Sequence, residues 1–289
     1  MRPFRIDIGD DVLDDLRRRL RATRWPDRET VDDWSQGVPL QYVQDICAYW
    51  GTEYDWRARE ALLNRFDQFT TTIDGLDIHL VHQHSPVPGA MPLVITHGWP
   101  GSVAEFAAVI GPLTDPVAHG GDAADAFDVV CPALPGFGFS GKPDRPGWGV
   151  ERVAMAWCEL MDRLGYARFG AQGGDWGGHV TTLLGANHPD RLLGIHVNLP
   201  IVRPGPGEAA DPDGAEQAAL AAREYYDRED SGYSKQQSTR PQTLGYGLTD
   251  SPAGQAAWIL EKFARWMDEV VPELVEFEVA VPHLSPAVR

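Results

Sequence analysis

The sequence predicts an α/β fold, a mostly parallel sheet covered by helices on both faces, preceded by a helical lobe. Three observations carry that prediction. Short apolar runs alternate with helix-length segments from about residue 90 to 200, which is the signature of strand, crossover helix, strand. The first 68 residues instead show helical periodicity. Between the two, FTTTI and LDIHLVH flank Asp74-Gly75, a turn signal that marks an antiparallel hairpin at the start of the sheet.

Each element follows from a local pattern. Val12, Leu13, Leu16 and Leu20 share one helical face in a segment that opens with Asp10 and Asp11, suited to capping, and closes before Trp25-Pro26. Leu40, Val43, Cys47 and Trp50 repeat the spacing, as do Leu62, Leu63 and Phe66. PLVIT, FDVVCPA, ARFGAQ and LLGIHVNL read as strands, with helices near residues 102 to 113, 150 to 164 and 176 to 187 between them. The acidic, proline-rich run PGPGEAADPDGAEQAA, residues 204 to 219, reads as a flexible lead into later helices.

Composition excludes several function classes. A chain of 289 residues with 43% hydrophobic content can bury a large core. Its formal charge of −17 disfavours nucleic acid and anionic membranes, because binding phosphates requires an excess of Lys and Arg. The N-terminal MRPFRIDIGDD lacks an apolar stretch of signal-peptide length, and no run reaches membrane-spanning length, so a soluble, cytoplasmic protein is expected. Cys47, Cys131 and Cys158 are widely spaced and form no C-x-x-C pair, so buried thiols are expected rather than disulfides or zinc ligands. His79, His82 and His84 alternate along a strand without further ligands at useful spacing; exposed positions and no metal are expected. The nicotinamide alternative lacks the G-x-G-x-x-G order and a following acidic strand end, and no cofactor is expected.

The segment Gly173-Gly174-Asp175-Trp176-Gly177 sits where ARFGAQ meets a helix and has the G-x-nucleophile-x-G spacing of a nucleophile elbow. An ordinary glycine-rich turn would share that pattern. Two further segments, His97-Gly98-Trp99-Pro100-Gly101-Ser102 and Pro135-Gly136-Phe137-Gly138-Phe139-Ser140, each follow a strand. In that order, HGWPGS, PGFGFS and GGDWGG resemble the epoxide hydrolases of the α/β-hydrolase superfamily. FRIDIGDDVLDDLRRRLRATRWPD and SGYSKQQSTRPQTLGYGLTDSPAGQAAWILEKF resemble the helical lobe and cap of the microsomal and juvenile-hormone branch. The resemblance runs from about Phe4 to Trp266 and implies four parts: a lobe over 1–68, a hydrolase core over 69–200, a helical cap over 201–267 and a tail over 268–289.

An aspartate at the elbow suits attack on a saturated carbon, as in an epoxide, leaving an ester whose carbonyl belongs to the enzyme. Water must then attack that carboxyl carbon, so the backbone N–H groups of Trp99 and Trp176 become the candidate oxyanion hole. The resemblance gives Tyr233 the role of proton donor to the opening ring, which suits a phenol that is protonated at neutral pH. His97 reads as a structural member of its loop, and His179 as a residue of helix packing or capping. After Trp266 the tail MDEVVPELVEFEVAVPHLSPAVR departs from the family pattern, and the family's second cap tyrosine, triad acid and histidine segment have no counterpart in it. The abrupt change reads as a truncation or frame shift, with C-terminal strands missing, ester hydrolysis expected to be impaired so that the enzyme stops near one turnover, and His283 as the remaining candidate base. An uncovered sheet edge near LLGIHVNL would then favour homodimer formation. A haloalkane dehalogenase and a non-catalytic ligand-binding module are the alternatives, and a small apolar epoxide is the expected substrate.

Overall fold

The computed structural model describes residues 1–200 and 212–266. These fall into two compact units, one formed by Met1–Asp7 with residues 56–200, the other by Ile8–Asp55 with residues 212–266.

The first unit is a sheet. Among the described residues it has seven strands: β1 (Arg2–Phe4), β2 (Gln68–Ile73), β3 (Leu76–Gln83), β4 (Met91–Thr96), β5 (Phe127–Pro132), β6 (Phe169–Gly173) and β7 (Leu192–Val197), in the order β1-β2-β3-β5-β4-β6-β7. The hairpin expected at Asp74-Gly75 is present, with both turn residues at positive φ, 50° and 80°, as a tight hairpin turn requires. The N-terminus adds β1 antiparallel to β2, a pairing too short to carry a periodic signal. From β5 onward to β7 the ladder is parallel.

The apolar runs Leu93–Ile95 in β4 and Val129–Cys131 in β5, and the small residues Gly170 and Ala171 beside Phe169 in β6, reflect strands buried on both faces. Among the described residues, four α-helices belong to this unit: α3 (Trp56–Leu63), α4 (Ala107–Thr114), α5 (Val150–Arg163) and α6 (Trp176–Asn187). The last two supply Trp157, Leu160, Met161, Val180 and Leu184 to a core shared with Ile78, Leu80, Val94, Val130 and Phe169. The indole N–H of Trp157 donates to Thr96 Oγ1 at 3.0 Å, so the largest buried side chain is also satisfied.

The expectation that His79, His82 and His84 are exposed is corrected for two of them. His79 and His82 are buried and only His84 faces outward, because β3 lies inside the sheet with both faces covered. Burial pushes the His79 and His82 imidazoles down to about 4. Cys47, Cys131 and Cys158 are all buried free thiols, and burial raises the Cys47 thiol to about 11.

The second unit is helical: α1 (Asp10–Arg21), α2 (Leu40–Thr52), α7 (Gly214–Tyr225), α8 (Gly232–Thr239), α9 (Pro241–Asp250) and α10 (Pro252–Trp266). In α1, Gly9 holds the capping position while Asp10 and Asp11 occupy the first turn, where negative charge suits the helix dipole. Of its apolar face Leu20 is buried, whereas Val12 and Leu16 remain exposed. Leu20, Val43, Cys47 and Ala253 form one cluster, and Ile46, Ala256 and Leu260 another. The expected flexible lead is corrected in its second half. Asp213 and Glu216 form a reciprocal capping box, so the chain is helical from Gly214. Among the described residues no helix is long and apolar enough to cross a membrane.

Candidate active site

The site is built where β4 and β6 run side by side, pairing Thr96 with Gly173. Beyond Gly173 the chain reverses into α6 through Asp175, which is held at φ 49° and ψ −125°. That conformation is strained for a residue with a side chain, and it turns the carboxyl group out of the strand-to-helix path. The reversal is tight enough to dictate its neighbours. A Cβ on Gly177 would lie 1.9 Å from the Thr96 carbonyl oxygen, so only glycine lets α6 pass β4 at this distance.

The loop after β4 meets the elbow directly. The backbone N–H of Trp99 donates to Asp175 Oδ1 at 2.8 Å. Gly98 makes this possible: a Cβ there would sit 2.3 Å from Oδ1 and 2.4 Å from the Asp175 Cβ. Asp175 makes no side-chain cap to its own helix. The carboxylate is therefore oriented toward the Trp99 loop rather than toward the first turn of α6. The Trp176 side chain is half exposed beside Asp175 and tilts against the His179 ring, 5.6 Å between centroids.

His97 supports this loop and is fully buried. Its Nδ1–H donates to the Gly98 carbonyl at 3.0 Å, and its Nε2 accepts from the Leu134 backbone N–H at 3.1 Å. Burial lowers its pKa, partly offset by the Gly98 carbonyl and the Asp175 charge, so the ring is neutral and both nitrogens are engaged. The PGFGFS segment completes the scaffold. Phe137 meets His97 edge to face, and Ser140 Oγ–H donates to the Ala133 carbonyl while accepting from His79 N–H. Among the described residues, no imidazole hydrogen-bonds to the Asp175 carboxylate.

Tyr233 lies in the first turn of α8, in the second unit. Its hydroxyl is 3.2 Å from that of Tyr226. His283 lies outside the described residues.

Comparison with known proteins decides the family. Residues 1–106 match the model for the epoxide hydrolase N terminus, and residues 91–233 match that for the alpha/beta hydrolase fold. The solved structure of Aspergillus niger epoxide hydrolase superposes with a TM-score of 0.86 at 33% identity, covering 96% of this chain and 73% of that one. This chain belongs to the epoxide hydrolase family. Its sheet and elbow are those of the α/β-hydrolase fold. Among relatives of the family, a Stigmatella aurantiaca protein provisionally named an epoxide hydrolase is 56% identical over 92% of this chain and 60% of its own length. Epoxide hydrolase 1 of Sus scrofa is 35% identical over 95% and 64%, respectively. The chain thus spans about three fifths of the length of these curated relatives.

Two features, one in each unit, lay beyond the sequence reading. The close approach of Gly98 to Asp175 joins segments 77 positions apart, and the only sequence signal for it is a glycine beside the proposed oxyanion donor. The buried Lys262–Asp230 pair beside Tyr233 had none, since each residue alone looks like a solvated charge.

Proposed function

We propose that this protein opens small apolar epoxides to diols through an ester formed on Asp175. The observation that supports this most is the 2.8 Å hydrogen bond from the Trp99 N–H to Asp175 Oδ1. A serine elbow aims its oxyanion hole at a substrate carbonyl, whereas here a backbone donor already rests on the enzyme's own carboxylate. An ester of Asp175 would present its carbonyl oxygen to that donor.

In the first step an Asp175 oxygen attacks an epoxide carbon, the ring C–O bond breaks, and the oxygen takes a proton from Tyr233. In the second, water adds to the Asp175 carboxyl carbon. Negative charge gathers on its former carbonyl oxygen, held by the N–H of Trp99 and, in this proposal, of Trp176. Collapse releases the diol and restores the carboxylate. His97 is unsuited to activate that water, because both ring nitrogens are engaged within its loop. The proposal leaves this role to His283, the candidate the sequence supplies. The lobe, core, cap and tail divisions at 68, 200 and 267 and a cytoplasmic location belong to the same reading.

The test is covalent capture. Mixed with styrene oxide and quenched, the protein should gain the mass of one epoxide on the peptide containing Asp175, and Asp175→Ala should abolish the adduct. An adduct that persists in Asp175→Ala refutes the nucleophile. Diol release over many equivalents reads the second step, and its loss in His283→Ala would assign the base.

A further inference from the structure

Tyr233 is held more firmly than a tyrosine in the first turn of an eight-residue helix needs to be. Residues Tyr226–Asp230 form a π-helical turn, a wider coil that shifts the register of the side chains before α8 and recurs at functional sites. It brings the Tyr226 hydroxyl to 3.2 Å from the Tyr233 hydroxyl. It also delivers Asp230 into a buried position, where Oδ1 receives Lys262 Nζ at 2.6 Å and Oδ2 receives the Trp266 indole N–H at 2.9 Å. Both partners in turn contact the Tyr233 ring. Lys262 Nζ is 4.8 Å from its centroid, and Trp266 packs edge to face at 5.2 Å.

The charges decide what this assembly does. Lys262 faces two carboxylates, Asp230 and Glu261 at 2.6 and 2.7 Å, so its field at the phenol is largely offset. What remains is geometric: the ring is fixed on one side by an ammonium and an indole that are themselves tied to one carboxylate.

We propose that Tyr226 is a positioning residue that sets the direction of the Tyr233 hydroxyl, on the reading above that Tyr233 is the proton donor. A phenol carries one O–H. If Tyr233 directs its hydrogen to the epoxide oxygen, its own oxygen must accept from Tyr226, and the Tyr226 hydrogen bond selects that rotor. As the Tyr233 proton passes to the alkoxide, the phenolate left behind accepts the same bond more strongly. The proton released when the ester is hydrolysed restores the phenol, so the cycle consumes one epoxide and one water. The interaction thus strengthens in the transition state and acts on rate rather than on substrate binding.

The experiment is rapid mixing of the full chain with styrene oxide, reading the rate of Asp175 alkylation by mass spectrometry in Tyr226→Phe, Tyr233→Phe and the double variant. Tyr226→Phe should slow alkylation about tenfold without changing the half-saturating epoxide concentration, as expected for a lost hydrogen bond made chiefly in the transition state. In the Tyr233→Phe background the second substitution should have no further effect, because there is no hydroxyl left to direct. Three results overturn the proposal. Wild-type alkylation in Tyr226→Phe with slow alkylation in Tyr233→Phe removes the positioning role and leaves the donor. Equal slowing by Tyr226→Phe in both backgrounds reduces Tyr226 to a structural residue. Wild-type alkylation in Tyr233→Phe refutes the donor itself.

Discussion

Substituting Gly98 by alanine tests whether the loop after β4 and the elbow are one device. The new methyl group would lie 2.3 Å from Asp175 Oδ1 and 2.4 Å from the Asp175 Cβ, where ordinary contact begins at 3.4 Å. Rotation of the carboxylate could relieve the first clash but not the second, since the Cβ is fixed to a backbone already held at φ 49°. The two chains must therefore separate by about 1 Å, which stretches the 2.8 Å Trp99 hydrogen bond beyond useful length. A misplacement of that size costs on the order of a hundredfold in rate. The assay is the single-turnover rate of Asp175 alkylation by styrene oxide, measured beside a thermal melt. Alkylation at the wild-type rate in a folded Gly98→Ala protein would show that the Trp99 loop does not hold the carboxylate.

Three further outcomes are expected. Gly177→Ala, whose methyl group would meet the Thr96 carbonyl oxygen at 1.9 Å, should fold poorly or melt far below wild type; a melt within a few degrees would contradict the close passage of α6 over β4. Lys262→Met should destabilise the protein by about 3 to 5 kcal/mol by stranding the buried Asp230 carboxylate, whereas Lys262→Met with Asp230→Leu should recover most of it, as read from denaturant midpoints. His79 is held at about 4 in the fold against an ordinary 6.5, so the unfolded chain binds the extra proton first. Stability should fall as pH drops from 6.5 toward 4, by about 3 kcal/mol for His79. His79→Gln should roughly halve the pH dependence in that window, since His82 is depressed to the same value, and an unchanged slope would refute the assignment.

The order of strands and helices was legible because each obeys a local rule: apolar runs for β4 to β6, a turn pair at Asp74-Gly75, helical spacing in α2 and α5. The elbow was legible for the same reason, since its glycines, Asp175 and Trp176 lie within five residues. What escaped was set by distant contact. The three-residue β1 forms only because β2 offers it an edge. His79 and His82, three residues apart, face opposite sides of β3, and both are buried because β3 is covered on both faces, a property of its neighbours rather than of its own sequence. Likewise Asp213 and Glu216 cap α7 within a stretch whose prolines and acids suggested a flexible lead; the capping spacing was present but outweighed by composition.

With Asp175 as the proposed nucleophile, its backbone sets stability against reactivity at a single Cα. Its φ of 49° is a conformation that glycine adopts without penalty and other residues hold at a cost of about 1 to 3 kcal/mol. Asp175→Gly should therefore melt higher than wild type while losing all alkylation. Selection for a sturdier fold alone would erase the proposed nucleophile, so an engineering screen that scores only thermal tolerance would be expected to enrich for inert proteins at this position.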